Sequence, residues 1–331
     1  MTMLKVPPVT SPVDQDLLAA ATSALKRLAA DPHCREGFLA SPVLAELFGA
    51  PAGRYVVAED RRGLADRVEL LRGKGYRIGI EYVGEEVRDP GEIEAICAEY
   101  LALVAEAAPG AEPVQLGFDL SNVGLLVSRE LAVANTARIA DAARAKGISL
   151  VISMERSSFV DEILDVYDVL APAHPNLGLT VQAHLHRTVE DVARVIAHGR
   201  KVRLVKGVYA EPAEIALARS DVLNERYADL AERLLAAGVE LACGTHDARL
   251  LRLLDARGIT GRITELEMLH GVRPRLLRTY REEGVPCRVA TVYGQNWWLH
   301  FLHRLAEYPP NVLTALADLA DPGRVRFGTQ Y

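Results

Sequence analysis

Residues 177–209 read LGLTVQAHLHRTVEDVARVIAHGRKVRLVKGVY. Two runs in it, LGLTVQAHL and VRLVKGVY, begin almost continuously apolar and turn polar at their ends, with a helical segment between them. Parallel strands buried on both faces have this texture, because neither face meets water. It recurs in both directions along the chain. YRIGIEYVG (76–84), VQLGFDLS (114–121) and SLVISME (149–155) precede the stretch; ELACGTHD (240–247), TELEMLHG (264–271) and CRVATVYG (287–294) follow it. Helical patterns such as PGEIEAICAEYLALVAEA and RYADLAERLLAAG lie between them. Eight strands alternating with helices predict an α/β chain with a closed (β/α)8 TIM barrel over 76–331. An open doubly wound sheet would want a GxGxxG turn after an early strand, and the sequence has none.

Ahead of the barrel, residues 1–75 are expected to form a helical arm. Its first ten or so residues are Pro-rich and read as irregular. Between Asp14 and Glu69 the Ala- and Leu-rich pattern predicts three or four helices, broken near Asp31–Pro32–His33 and Pro51–Ala52–Gly53. The 331 residues are 50% hydrophobic and 25% charged, an ordinary globular composition. A net charge of −6 without any Lys/Arg run argues against nucleic acid as a partner. No apolar stretch approaches the ~20 residues of a membrane span, and the N-terminus lacks a signal-peptide core. Four scattered cysteines, Cys34, Cys97, Cys243 and Cys287, fit reduced thiols and a cytoplasmic setting.

A barrel carries its chemistry at the C-terminal ends of its strands. Here those ends hold Glu81, Asp119, Ser153, Glu155, Gln182, His184, Arg203, Lys206, Tyr209, Thr245, His246, Asp247, Glu267, His270 and Tyr293. A barrel serving only as scaffold would not need so dense a polar set. His184 and His186 have the i, i+2 spacing of metal-dependent barrel hydrolases. The further ligands would have to be His246 and Asp247, which are adjacent and point to opposite faces, so no metal is expected. Lys206 admits three readings: a Schiff-base lysine, a cation gripping a phosphate beside Gly207, or a salt-bridged rim residue. Spacing does not choose among them. His246 suits close approach to a cofactor, or is a hydrogen-bonded structural group. Trp297 and Trp298 read as core or cavity lid.

In this order the strands resemble those of the proline dehydrogenase family, the FAD-dependent barrel enzymes. EYVGEEV (81–87) resembles the first-strand signature, VQAHLHRT (181–188) the Gln-Ala-Tyr strand, and RLVKGVY (203–209) the sequence RLVKGAY. GTHDARL (244–250) resembles ATHD, ELEMLHGVRP (265–274) resembles EFQxLYGVRP, and VYGQNWWLHFLHRLAEYPPNVL (292–313) resembles the final segment. Any one of these is weak; six in register over roughly 76–317 are specific. The resemblance implies a distorted barrel with FAD at its C-terminal mouth and the last helix over that mouth. It implies that Met154, Gln182, Lys206, Gly207, Val208, Thr245 and His246 hold FAD, with Arg203 against the flavin N5 region where the hydride arrives. A small-molecule substrate and an electron acceptor, a quinone or oxygen, are the implied partners.

The substrate half of the pattern departs from the family. The family's adjacent arginines, which clamp the amino-acid carboxylate, are matched by His303 and Arg304. An always-charged fork has become a group charged only near or below its own pKa. The family's second-strand lysine is matched by Asp119, its third-strand aspartate by Ser153, its eighth-strand tyrosine by Ala290 and a tyrosine of the last helix by His300. Glu307 is kept. The expectation is a flavin-dependent dehydrogenase that oxidises a C–N bond of a small substrate other than proline. The candidates are an amino acid, a substituted or ring-altered proline, or a hydrazine-bearing acid of secondary metabolism. A genuine proline dehydrogenase, a Lys206 lyase or aldolase, and a non-catalytic barrel are the competing readings.

Overall fold

Period-2 alternation along each barrel strand divides its residues between two environments. The computed structural model describes residues 15–331 apart from 85, 108–113, 210, 296 and 308–310. The expected irregular start therefore lies outside the described residues. Two compact units emerge: Met1–Ala52 with Trp298–Val325, and Gly53–Trp297 with Arg326–Tyr331.

The larger unit is the barrel. After α4 (Arg61–Gly73) it runs β2 (Arg77–Tyr82), α5 (Pro90–Glu106), β3 (Gln115–Phe118), α6 (Arg129–Ala145), β4 (Ser149–Ile152), α7 (Val160–Leu170) and β5 (Leu177–Gln182). Then come α8 (Thr188–Ile196), β6 (Val202–Val205), α9 (Asp221–Ala236), β7 (Leu241–Gly244), α10 (Ala248–Ala256), β8 (Glu265–Leu269), α11 (Pro274–Glu282) and β9 (Cys287–Tyr293). All pairings from β2 through β9 are parallel, and β9 returns to pair with β2, closing eight strands. Every predicted strand is present. Of the polar residues singled out, Glu81, Gln182, Arg203, Glu267 and Tyr293 lie within the strands, and Asp119, Ser153, Lys206 and Thr245 lie in the loops just beyond them.

One element was not expected. The segment read as wholly helical contains β1 (Val56–Ala58), parallel to β9 through Val56↔Val292 and Ala58↔Tyr293. Pairing of β8 with β9 ends at Leu269↔Ala290, so β1 takes the stretch of β9 that β8 leaves open. Residues 53–75 thus pack with the strands, although the sequence reading places them in the arm.

The outward faces of the strands supply apolar core. Ile78, Ile80, Leu116, Phe118, Leu150, Ile152, Leu179, Val181, Leu204, Cys243, Leu266, Met268 and Val289 pack with buried residues of the surrounding helices. Asp89, Ser128, Ser220 and Asp247 cap α5, α6, α9 and α10 by accepting backbone N–H bonds. The inward faces are polar. At the N-terminal end Arg288 grips Glu265 with two bonds, Nε to Oε1 at 2.8 Å and Nη2 to Oε2 at 2.9 Å. Lys201 donates to the same carboxylate and to Gln115 Oε1, the latter at 2.6 Å. Arg77 Nη1 adds a bond at 3.3 Å. A glycine makes room for one inward chain: a Cβ on Gly117 would stand 2.5 Å from Glu81 Oε1.

The smaller unit contains α1 (Gln15–Ala30), α2 (Pro32–Leu39), α3 (Pro42–Ala52), α12 (Trp297–Glu307) but for its first residue, and α13 (Asn311–Ala320). The last helices pack with the first ones. Phe38 lies 4.2 Å from Trp298 between ring centroids, Phe48 lies 6.4 Å from Phe301, and Thr22 donates to the Ala306 carbonyl at 3.2 Å.

Burial alone would push the Glu265 carboxyl up, but Arg288 and Lys201 overcome it and bring it from 4.5 to about 2. A carboxylate depressed in the fold gives stability that is present above 4.5 and lost as pH falls toward about 2. Glu265→Gln should cost roughly 3–5 kcal/mol in urea unfolding at neutral pH, the scale of stranding a buried ionic partner. The gap between variant and wild type should shrink as the pH is lowered through that window. A gap independent of pH would show that Glu265 acts through packing alone.

Candidate active site

Arg203 is the second residue of β6, and alternation turns it into the barrel. A guanidinium there needs acceptors from several strands at once, and it has them. Nε donates to Thr180 Oγ1 of β5 at 2.8 Å. Nη1 donates to Glu81 Oε1 of β2 and to Glu267 Oε1 of β8, each at 3.1 Å. Nη2 donates to Ser153 Oγ, just past β4, at 3.0 Å. The fork is thus fixed by four neighbours, and the second Nη2 hydrogen is the one a bound group can take. Burial pushes the guanidinium down, but Glu267 and Glu81 more than reverse that and hold it above its usual range.

The next strand ends build a cradle around this arginine. Gln182, buried at the end of β5, donates its amide to the carbonyls of Met154 at 2.8 Å and Glu155 at 2.7 Å. Those bonds fix the amide's orientation and leave Oε1 buried with no partner among the described residues. Lys206 pairs with Asp247, which also accepts from the N–H groups of Arg249 and Leu250. Burial would raise the Asp247 carboxyl; Lys206 and those backbone donors bring it below its usual range. Gly207 has φ +107°, and a Cβ there would fall 1.8 Å from His184 Nδ1, so only glycine fits. His184 packs against that face of Gly207, its backbone N–H donating to the Lys206 carbonyl at 2.9 Å, while Val208 is exposed. Burial pushes the His184 imidazole down. Thr245 is buried, and its Oγ1 accepts from the Asp247 N–H at 3.2 Å. His246 Nε2 accepts from the Leu269 N–H at 2.9 Å, which places the proton of a neutral ring on Nδ1.

These residues fit FAD. A buried acceptor on Gln182 requires a donor, and the pyrimidine edge of an isoalloxazine carries one N–H between two carbonyls. Arg203 offers a cation that would suit the negative charge of a reduced flavin, and the Lys206 ammonium would suit an anionic phosphate.

The remaining substrate candidates are spread over both units. Asp119 stands half-buried just past β3, and Ala290 is buried on β9. His300, His303 and Arg304 lie on α12 of the smaller unit, where burial, Arg304 and His303 hold the His300 imidazole well below its usual range. The Glu307 side chain lies outside the described residues. The histidine pair does not converge: His184 faces Gly207, whereas His186 Nε2 bonds to the Ala213 carbonyl at 2.9 Å.

Sequence reasoning placed Glu81 and Glu267 among the polar strand ends without a specific role and did not single out Thr180, Gln115 or Lys201; all five bear on Arg203 directly or through one another. A signal was available. Lys201 and Arg203, like Glu265 and Glu267, are charged pairs at i, i+2 in otherwise apolar strands, so both members face one side.

A family model described as proline dehydrogenase matches residues 64–307. The chain is 28% identical over 281 residues to proline dehydrogenase 1 of Bacillus subtilis subsp. natto, covering 83% of this chain and 93% of that one. It is 29% identical over 270 residues to the proline dehydrogenase of Deinococcus radiodurans, covering 78% and 87%. Among solved structures, proline utilization A from Bdellovibrio bacteriovorus, inactivated by N-propargylglycine, has a similar fold with TM-score 0.71 at 17% identity. That match covers 92% of this chain but only 37% of the much longer protein. The chain belongs to the proline dehydrogenase family and is an FAD-dependent oxidoreductase acting on a CH–NH group.

Proposed function

We propose that the chain oxidises the C–N bond of a small amino-acid-like substrate, with Arg203 at the hydride-accepting edge of the flavin. The observation that carries this is the buried Arg203 fork, fixed on four sides beside the orphan acceptor of Gln182. FAD, when bound, supplies the two-electron acceptor for the hydride. Arg203 offers a fixed positive charge where negative charge collects, and needs no reorganisation to do so. Gln182 receives the ring N–H, its amide held by the Met154 carbonyl. Lys206, Gly207, Val208, Thr245 and His246 hold the rest of the cofactor, His246 donating from Nδ1. The oxidised substrate leaves as an imine, and a quinone or oxygen takes up the electrons.

The substrate is proposed to be a relative of proline that carries an additional positive or donating group. Asp119 stands where the family pattern has a lysine, and Glu81 and Glu267 add carboxylates beside Arg203. Ser153 accepts from Arg203 and replaces an anion that would compete for a cationic substrate. Ala290 in place of a tyrosine removes an aromatic wall. By their match to the family's adjacent arginines, His303 and Arg304 are assigned the substrate carboxylate, with Glu307 beside them in sequence. Candidates are a substituted proline or a hydrazine-bearing acid of secondary metabolism. L-Proline itself is the second reading, favoured by the names of the relatives. The Lys206 lyase reading is disfavoured, because an ammonium engaged by Asp247 is a poor nucleophile.

Anaerobic addition of L-proline to the holoenzyme, followed at the flavin's visible bands, tests the substrate. Slow or absent bleaching is expected, with faster bleaching by amino acids bearing a second cationic or donor group. Prompt bleaching by L-proline alone would establish the second reading. Arg203→Ala should slow flavin reduction by about 10²-fold, the scale of one lost charge stabiliser, while Arg304→Ala should raise KM with a smaller change in kcat. Wild-type reduction rates in Arg203→Ala would remove the arginine from the site. Gly207→Ala should purify with little FAD, its added Cβ displacing His184; full flavin content in that variant would relocate the cradle.

A further inference from the structure

Arg203 is paired with more negative charge than its own neutralisation requires. Glu81 alone would balance it, yet Glu267 donates no hydrogen and accepts from the same Nη1 at the same 3.1 Å. The two carboxylates are differently placed: the Glu81 side chain is 27% exposed and that of Glu267 is 6% exposed. Water therefore screens Glu267 less, so its charge acts at fuller strength on whatever lies against the fork. The segment Glu265–Leu266–Glu267, which resembles the family's Glu-Phe-Gln, has a carboxylate where that pattern has an amide.

Glu267 is also tethered from below. Its Oε2 accepts from Gln115 Nε2 at 3.3 Å, and Gln115 Oε1 accepts from Lys201, which is bound to Glu265. An unbroken row of charge-assisted bonds thus runs Arg288–Glu265–Lys201–Gln115–Glu267–Arg203. Gln115 is its neutral link. It accepts a hydrogen bond from the Lys201 ammonium through Oε1 and donates one to the Glu267 carboxylate through Nε2, drawing some of that charge away from Arg203.

We propose that Glu267 is a positioning residue that sets the reduction potential of the bound flavin: it fixes the Arg203 fork and offsets part of its charge. This rests on the placement of Arg203 against the flavin. A cation beside the ring stabilises the reduced, more negative form, and a buried carboxylate on that cation weakens the effect. Glu267 accordingly makes this flavin harder to reduce than a Gln at the same position would, and Gln115 moderates that influence.

The test is the midpoint potential of the holoenzyme, measured by anaerobic titration against a reference dye, for wild type and three variants. Glu267→Gln should raise it, with the reduction equilibrium constant rising about tenfold, or ~30 mV for a two-electron couple. Gln115→Leu leaves the formal charge unchanged and strips Glu267 of its amide donor, so it should lower the potential. A role in folding alone predicts no such opposed signs. Arg203→Met should lower the potential by removing the cation. If Arg203→Met shifts the potential and Glu267→Gln leaves it unchanged or lowers it, the inference is overturned while the placement of Arg203 stands. If none of the three moves it, that placement fails and the inference with it. Should Glu267→Gln fail to retain FAD, Gln115→Leu decides: a lowered potential supports the role, and an unchanged or raised one overturns it.

Discussion

A guanidinium enclosed by eight strands must be neutralised from within the barrel, and the interior of this protein is organised around that requirement. Desolvating Arg203 costs several kcal/mol on the usual scale for buried ions, which only close, well-oriented acceptors offset. Four strands other than its own contribute one each, at β2, β4, β5 and β8 or just beyond. No single loop can supply that geometry. It depends on closure of the sheet, because Glu81 on β2 and Glu267 on β8 reach the same nitrogen only when β9 joins the two ends.

The same requirement accounts for the composition of the strands. Barrel interiors are generally filled by layers of branched apolar side chains. Here long charged residues, Arg203, Glu265, Glu267 and Arg288, take inward positions beside small residues such as Gly117 and Ala290 and a few valines such as Val151. Gly117 clears the path of Glu81. Because the inward face makes ionic contacts, apolar burial has to come from the outward face, where every strand meets a helix. The strands consequently read as nearly continuous apolar runs broken by single charges.

That arrangement explains what the sequence disclosed. Strand positions were legible because apolar residues on the outward face and small ones on the inward face both read as buried. Arg203, Gln182, Lys206 and Gly207 were legible as candidates because RLVKGVY and VQAHLHRT resemble a known pattern in register. The short β1 was not: three residues, Val56–Ala58, sit between helices, and only the vacated end of β9 makes them a strand. Nor were the partners of Arg203. Strand alternation says which face a residue takes, but not which of seven other strands it meets. Gln115 and Lys201 are 86 residues apart, and their contact follows from the barrel's closure, not from any local signal.

Strand β8 shows how closely structure and chemistry are joined. Glu265 and Glu267 are two residues apart on one inward face, and both are buried carboxylates. Glu265 meets Arg288, Lys201 and Arg77, so cations outnumber it and it serves the fold. Glu267 shares a single cation, Arg203, with Glu81, so anions are in excess there. A strand cannot shift by one residue to exchange these roles without turning both carboxylates into the apolar layer. The register that stabilises the N-terminal end of the barrel therefore also determines the charge balance around Arg203, where the cofactor is proposed to bind.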